Sequence, residues 1–525
     1  MKILVADPIS EEGLARLRDT SGFDVTVRPS MTVADLIQAV REHDALVVRS
    51  ATKVTAEVLA DVGRLKVIGR AGTGVDNIDL DAATRAGVVV INTPGGNSVA
   101  AAELTISLLL ALARHIPQAN AALRAGRWDR KKHVGVEVCG KVIGIVGLGR
   151  VGREVARRAR GLRMKVVGHD PFVTEAAVAD LGVTVVPLPA LLADSDFVTL
   201  HLPSTEQTRS LIDAAALERM KPGARLINCA RGDLVDEAAV LAALESGHLA
   251  GAALDVFAKE PPTDRRLVEH PGVVSTPHLG ASTREAQVRV GTEIADKIRD
   301  FLETGTILDA VNFPSVSREE YAALRPVMVL AERLGRFVGQ IGEGGVRELH
   351  LCCFGEFNER PLRPLVMAAV KGLLTPTMGD GISYVNALRL AGERGVTVRD
   401  GRSSEPTPYA GLLRLTLVAG AVRSVVSGTL FTADRPRIVE VDGVRIECTP
   451  SGHLLFFRNR DVPGVVGRIG SILGRAGINI AQIQLGRAQG GEAVSIVNVD
   501  SAVGAEVLEE IRALDEIREA RTLSV

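Results

Sequence analysis

The segment Gly147-Leu148-Gly149-Arg150-Val151-Gly152 constrains this chain more than any other because of what flanks it: the apolar run Val142–Val146 before it and a helix-favouring stretch through Arg163 after it. A strand, a GxGxxG turn and a helix, in that order, make the first unit of a doubly wound, Rossmann-type nucleotide-binding sheet. The first two glycines permit the tight turn and the approach of backbone to a pyrophosphate. The third lets helix pack on strand, and the helix N-terminus offers N–H donors and the positive end of its dipole. The next strand, 165–169, ends at Asp170, eighteen residues after Gly152. A carboxylate there accepts both hydroxyls of an adenosine ribose and repels a 2′-phosphate, which favours NAD over NADP. The alternative role for Asp170 is a cap on the turn before Pro171.

This turn comes late in the chain. Short β-rich runs at Ala45–Val48, 66–68 and 88–92 precede it, and others at Phe197–Leu200 and 225–228 follow, all alternating with helical stretches. That rhythm predicts parallel sheets with crossover helices. The nucleotide domain, 98–281, is expected to be inserted into a second, flavodoxin-like α/β domain built from 1–97 and 282–316, with a cleft between the lobes. Beyond 317 the rhythm breaks at glycine pairs, a Pro-rich stretch over 356–364 and a turn cluster over 401–408, which predicts a separate α+β intervening domain over 317–449. Residues 450–525 regain periodicity: a strand at 454–458, the turn Asp461-Val462-Pro463-Gly464, and a helix with Val466, Ile469, Ile472 and Leu473 on its apolar face and Gly477 at its end. A strand at 478–485, a hairpin turn Gln489-Gly490-Gly491-Glu492, a strand at 493–499, a helix near 505–514 and a last strand complete a ferredoxin-like βαββαβ order.

A chain of 525 residues is long enough for three or four such domains. Its net charge of -1 gives no basic face for nucleic acid. The apolar run at the N-terminus, Ile3–Ala6, ends at Asp7 and Pro8, too short for a secretory segment, and no stretch approaches the roughly 18 apolar residues of a membrane span, so a cytoplasmic location is expected. The five cysteines lack metal-ligand spacing, so no metal site is expected and the thiols are read as buried small hydrophobes.

Oxidising a secondary alcohol with a nicotinamide cofactor needs a base for the hydroxyl proton and a cation for the substrate carboxylate. Arg231, in Asn228-Cys229-Ala230-Arg231-Gly232, stands just past a strand, at the edge where ligands sit in doubly wound sheets, and a guanidinium there holds a carboxylate through two bonds. His278 follows another β-rich run, 273–275, and suits alternating base and acid work. Glu260 is the carboxylate to orient it. Most of the ten histidines, His169 and His201 among them, are read as structural or exposed. Gly72-Thr73-Gly74 lacks the third glycine of a nucleotide turn and is read as a turn whose N–H groups face the cleft and hold a carboxylate, or as purely structural.

The run 228–232, the Leu254-Asp255-Val256-Phe257 segment leading to Glu260-Pro261, and Pro277-His278 resemble the arginine, glutamate and histidine motifs of the D-2-hydroxyacid dehydrogenases. Arg49-Ser50-Ala51-Thr52, Gly69-Arg70-Ala71-Gly72-Thr73-Gly74-Val75-Asp76-Asn77, Trp128-Asp129-Arg130 and Leu279-Gly280-Ala281-Ser282 are similar to the branch that oxidises 3-phospho-D-glycerate at the entry to serine synthesis, and the resemblance covers almost the whole chain. It implies catalysis by Arg231, Glu260 and His278; NAD contacts from Gly147, Gly149, Arg150, Val151, Gly152, Asp170, Cys229, Ala230, Asp255 and Gly280; and substrate contacts from Arg49, Ser50, Arg70, Gly72 and Arg130, the last from a neighbouring subunit. A substrate with both carboxylate and phosphate needs more than one cationic anchor. The terminal domain resembles an ACT domain, which implies an L-serine effector held between paired copies by Asn459, Asp461 and Asn479, in a homo-oligomer, dimer or tetramer. Open alternatives are a glyoxylate or hydroxypyruvate reductase, a non-catalytic NAD-sensing corepressor on the same scaffold, and a terminal domain that serves dimerisation alone.

Overall fold

Parallel strands covered on both faces need apolar side chains at every position, and Ala45–Val48 is buried throughout. The computed structural model describes the whole chain except Asp434, Gln489 and the side chain of Asp380; Gln489, expected in the last hairpin turn, therefore lies outside the described residues. In spatial order, Asp24–Val27, Lys2–Val5, Ala45–Val48, Val67–Arg70 and Val89–Asn92 form a parallel sheet. In chain order this is 2-1-3-4-5, the flavodoxin-like arrangement. The chain returns to it through helix Arg284–Thr304 after completing the nucleotide lobe. This helix meets helix Glu11–Arg18 backbone to backbone: a Cβ on Gly13 would stand 2.6 Å from the Gly291 carbonyl oxygen.

The nucleotide lobe is a seven-stranded parallel sheet, in spatial order Val273–Ser275, Leu249–Leu254, Ala224–Asn228, Phe197–Leu200, Val142–Val146, Lys165–His169 and Thr184–Val185. Its first six strands in chain order follow the 3-2-1-4-5-6 arrangement, with Val273–Ser275 added at the far edge, and the reversal of order leaves a crevice at the carboxyl edge between Val142–Val146 and Phe197–Leu200. Helix Arg150–Gly161 lies on it through Gly152, Val155, Ala156 and Ala159, a single face at helical spacing.

From helix Arg318–Ile341, opened by a capping box of Ser317 and Glu320, the chain builds an α+β unit. Its mixed sheet runs Thr397–Ser403, Val346–Gly355, Gly411–Ala419, Val422–Leu430, Pro436–Val441 and Val444–Cys448. The turn cluster expected over 401–408 is corrected here: Gly401 to Ser403 extend an edge strand that pairs in parallel with Val346–Gly355, so sheet context overrides turn chemistry. The last sheet, Ile480–Arg487, Glu492–Val499, His453–Arg460 and Ile517–Ser524, is antiparallel and has the ferredoxin-like order. One of its faces carries helices Val465–Arg475 and Ala505–Arg512. The other, through Leu454, Phe456, Val494, Ile496 and Leu523, joins a continuous core shared with the intervening unit and the first sheet, whereas the nucleotide lobe keeps separate clusters.

Three smaller expectations are corrected. Val465, not Val466, faces the core: Val466 is 43% exposed, because the helix starts one residue past Gly464 and its apolar stripe turns accordingly. The strand expected at 478–485 spans Ile480–Arg487. Cys139 is exposed rather than buried; Cys353 and Cys448 are buried, and all five thiols are free. No single helix among the described residues is long and apolar enough to cross a membrane.

Candidate active site

Every strand of the nucleotide sheet that carries a candidate group delivers it at its carboxyl end. Gly147 follows Val146, Asp170 follows His169, Arg231 lies past Asn228, Asp255 follows Leu254 and His278 lies past Ser275. In the nucleotide turn, Gly147 has φ +97° and a Cβ there would stand 2.4 Å from the His201 carbonyl oxygen, while a Cβ on Gly152 would stand 2.0 Å from the Gly147 oxygen. Both glycines are required by the protein's own backbone. Gly149 differs: nothing lies within 4 Å of the place its Cβ would take. That open cradle, at the N-terminus of helix Arg150–Gly161, fits a pyrophosphate. Asp170 accepts N–H bonds from Leu148 and Phe172, each 2.9 Å, so its carboxylate both ties the turn and keeps acceptor capacity for a ribose. Arg150 is exposed, Val151 half-buried and Gly152 buried. Burial pushes the Cys229 thiol up to about 12, which keeps it protonated beside the crevice.

His278 Nδ1 lies 2.7 Å from Glu260 Oε2. A carboxylate only accepts, so Nδ1 carries the proton and Nε2 the free lone pair. The other Glu260 oxygen takes the Phe257 N–H at 3.2 Å. The Arg231 loop packs on this same segment, since a Cβ on Gly232 would stand 1.9 Å from the Phe257 carbonyl carbon. Arg231 Nε meets Asp76 of the other lobe at 2.9 Å and Nη1 meets its neighbour Ala230's carbonyl at 2.7 Å, which places Nη2 directly over Gly74. Arg70 belongs to the same cluster. Burial, followed by the adjacent charge of Arg231, pulls its guanidinium down to about 10, Arg49 adds to the repulsion, and Asp76 opposes it. Its Nε is buried without a partner. Nη1 reaches the Ala71 carbonyl at 3.4 Å and stands where a Gly72 side chain would be. Arg49 reaches the Pro8 carbonyl at 3.3 Å and Ser50 is exposed beside it. The structure thus groups Arg49, Arg70, Gly72 and Arg231 across the cleft. Arg130 is not brought to them: it is exposed on the 3-10 turn Arg130–His133.

Asp255, expected as an NAD contact, and Asn228, quoted only within the arginine motif, have positioning roles that the sequence reading did not assign. Asp255 is fully buried, and both its oxygens are engaged around the histidine turn, by Thr276 Oγ1 at 2.6 Å, Leu279 N–H at 2.7 Å and Gly280 N–H at 2.9 Å, while its carbonyl accepts the His278 N–H at 2.8 Å. Burial raises its pKa above the usual carboxylate value, against those bonds. This scaffold holds His278 at φ +56°, a conformation that side chains other than glycine seldom adopt. Asn228, also fully buried, ties the arginine loop by accepting the Ala230 N–H at 3.0 Å and donating to the Arg231 carbonyl at 2.7 Å. The sequence signal available for each was a carboxylate or amide at the carboxyl end of an apolar strand. His169 and His201 are structural: the first meets the Val186 carbonyl at 3.1 Å and the second Thr199 Oγ1 at 3.0 Å.

In the terminal domain the three expected effector groups do not converge within one copy. Asn459 is buried, its amide bonded to the Arg460 carbonyl and Ser495 Oγ, so it presents nothing to a surface ligand. Asp461 pairs with Arg487 at 3.0 Å, at the end of the sheet where Arg460 opposes Glu492. Asn479 donates to Asp500 at 2.7 Å, at the other end, where Ile480 opposes Val499.

Residues 106–280 match the NAD binding domain of the D-isomer specific 2-hydroxyacid dehydrogenases, 323–442 the D-3-phosphoglycerate dehydrogenase intervening domain and 453–516 the ACT domain. A D-3-phosphoglycerate dehydrogenase of Synechocystis sp. is 42% identical across 100% of this chain and 95% of its own length, and one of Archaeoglobus fulgidus is 42% identical across 99% of each. The chain belongs to the D-3-phosphoglycerate dehydrogenase family. Similar proteins of known structure include shorter ones matched nearly whole: a Thermus thermophilus protein, 36% identical with TM-score 0.55 over 59% of this chain and 100% of its own, and a glyoxylate reductase from Paecilomyes thermophila, 31% identical with TM-score 0.55 over 59% and 98%. The family's cofactor is NAD, and the open cradle at Gly149 and the carboxylate of Asp170 fit it.

Proposed function

We propose that this chain oxidises 3-phospho-D-glycerate to 3-phosphohydroxypyruvate with NAD, at the entry to L-serine synthesis. The observation that carries the reading is the union of an oriented histidine with a surplus of guanidinium groups: His278 on Glu260, and Arg231 with Arg49 and Arg70 about the cleft. Arg231 holds the substrate carboxylate, with the Gly72–Gly74 backbone beside it, and Arg49 and Arg70 hold the phosphate. The burial and repulsion that depress Arg70 are relieved by an anion, so the cluster suits a substrate with two anionic groups. His278 Nε2 accepts the hydroxyl proton, and Glu260 steadies the imidazolium that results. When bound, NAD accepts the hydride released from the same carbon. Residues 98–281 act as the NAD-binding unit, 1–97 with 282–316 as the substrate unit, 317–449 as the intervening unit and 450–525 as the ACT unit of a cytoplasmic homo-oligomer.

The terminal domain takes L-serine between paired copies. A zwitterion needs a carboxylate for its ammonium and amide donors for its carboxylate, and Asp461 of one copy with Asn479 of a second, related by a twofold axis, meets that need. Steady-state assay of the full chain with NADH and 3-phosphohydroxypyruvate, with and without serine, tests both statements. Turnover with glyoxylate but not with the phosphorylated substrate overturns the first; unchanged turnover and no calorimetric heat at millimolar serine overturn the second.

A further inference from the structure

A cavity of about 650 Å³ lies where the first sheet meets the intervening unit, at the opposite end of the strands from Arg49 and Arg70. Its two walls are built from distant parts of the chain. Asp44, Arg64 and Lys66, at and before the starts of strands Ala45–Val48 and Val67–Arg70, form one; Arg336, Lys371 and Tyr384 form the other. The walls close on each other tightly, since a Cβ on Gly87 would stand 2.7 Å from Asn386 Nδ2 and 3.2 Å from Ser383 Oγ.

Among the described residues lining the cavity there are four cations and one carboxylate. Asp44 is buried and takes two bonds from Arg64 Nη2, at 3.0 and 3.1 Å, so that pair is internally satisfied. Lys66 stands farther off, 3.5 Å from the same carboxylate. On the facing wall, Lys371 donates to Glu332 at 2.8 Å and lies over the Tyr384 ring, while Tyr384 donates to the other Glu332 oxygen at 2.7 Å. Glu332 is thereby occupied, and Arg336 reaches it only at 3.9 Å. Arg336 Nε is buried and has no hydrogen-bond partner among the described residues. Lys66, whose side chain is 60% exposed, and Arg336 thus face one cavity from opposite walls with no close carboxylate between them, and the orphaned Arg336 donor costs free energy until an acceptor takes it.

We propose that this cavity is a binding site for a compact dianion, a phosphate or a dicarboxylate, held between Lys66 and Arg336. Such a ligand bridges the substrate lobe and the intervening unit. It also bears on the substrate site, because Lys66 enters the four-residue strand whose last residue is Arg70. The site lies outside the catalytic cleft, so its occupancy is measured without reference to the reaction.

The test is calorimetric titration of the full chain with inorganic phosphate and, separately, with malonate, joined to hydrogen exchange. The wild type is expected to show a saturable component, with slowed exchange over 63–70 and 379–384. Lys66→Gln and Arg336→Gln, one from each wall, should each weaken that component at least tenfold and abolish the slowing, while leaving kcat/KM in anion-free buffer unchanged. Binding of phosphate alone or of malonate alone identifies which dianion geometry the cavity takes, and either supports the proposal. Titrations and exchange patterns that are the same in wild type and both variants, or no saturable binding of either anion, overturn it.

Discussion

Replacing Gly149 by alanine separates what the protein needs from what its ligand needs. Its φ of -73° and ψ of -160° are open to any residue, and no atom lies within 4 Å of the added methyl. The variant without cofactor should fold as well as the wild type, and gains up to about 1 kcal/mol from the stiffer unfolded chain. The methyl stands instead in the space through which backbone approaches a pyrophosphate. Overpacking a close contact by one carbon costs about 1–3 kcal/mol, which is roughly a 5- to 150-fold rise in Kd. Gly152→Ala is the contrast: its methyl would stand 2.0 Å from the backbone oxygen of Gly147, so the turn itself must move and the fold loses stability without any ligand present. NADH fluorescence titration and thermal unfolding of the cofactor-free protein measure the two effects. An unchanged Kd in Gly149→Ala, or a loss of cofactor-free stability equal to that of Gly152→Ala, refutes the assignment of the open cradle to the nucleotide.

Gly74→Ala puts a methyl 2.0 Å from Arg231 Nη2 and 2.8 Å from an Asp76 oxygen; the guanidinium must retreat by about an ångström, so kcat/KM should fall on the order of 10²-fold with little change in melting temperature, as steady-state kinetics and calorimetry will show. Asp170→Ala should narrow the preference for NAD over NADP, because the 2′-phosphate loses its repulsion; equal use of both cofactors by the wild type defeats the reading. Asp44 has a carboxyl below its ordinary value: burial alone would raise it, but the Lys2 N–H, Arg64 and Lys66 outweigh burial. Its contribution to stability is therefore present above the ordinary carboxylate pKa of 3.8 and lost as pH falls through the lower folded value. Asp44→Asn should melt earlier than wild type at pH 6, by about 1–3 kcal/mol, with the gap closing toward pH 2; a constant gap in pH-dependent unfolding would exclude the linkage.

The parts of the site that lie along the chain were legible in sequence, and those that lie across it were not. Strand, GxGxxG and helix are contiguous, so the nucleotide turn and Asp170 followed from spacing, and the strand-end positions of Arg231 and His278 followed from the β-rich runs before them. Asp255 acts by accepting bonds from residues more than twenty positions later, and Asp76 meets an arginine 155 positions away; the strand-end position of Asp255 is a local pattern, but the partners of neither residue are. The burial of Asn459 has a related origin. The motif places it at the end of a strand, but the register that pairs it with Ala493 and Ile517 turns its amide inward to Ser495, and register is set by the whole sheet. The same register carries a consequence for regulation. Strands His453–Arg460 and Glu492–Val499 run antiparallel, and Asp461 bonds to Gly491 while Asn479 bonds to Asp500, so the two groups stand at opposite ends of the sheet, separated by nine residues of extended chain, roughly 30 Å. No small amino acid spans that distance. An effector that uses both groups must be held by two copies related by a twofold axis, so that each pairing of terminal domains creates two equivalent sites and effector binding becomes inseparable from assembly.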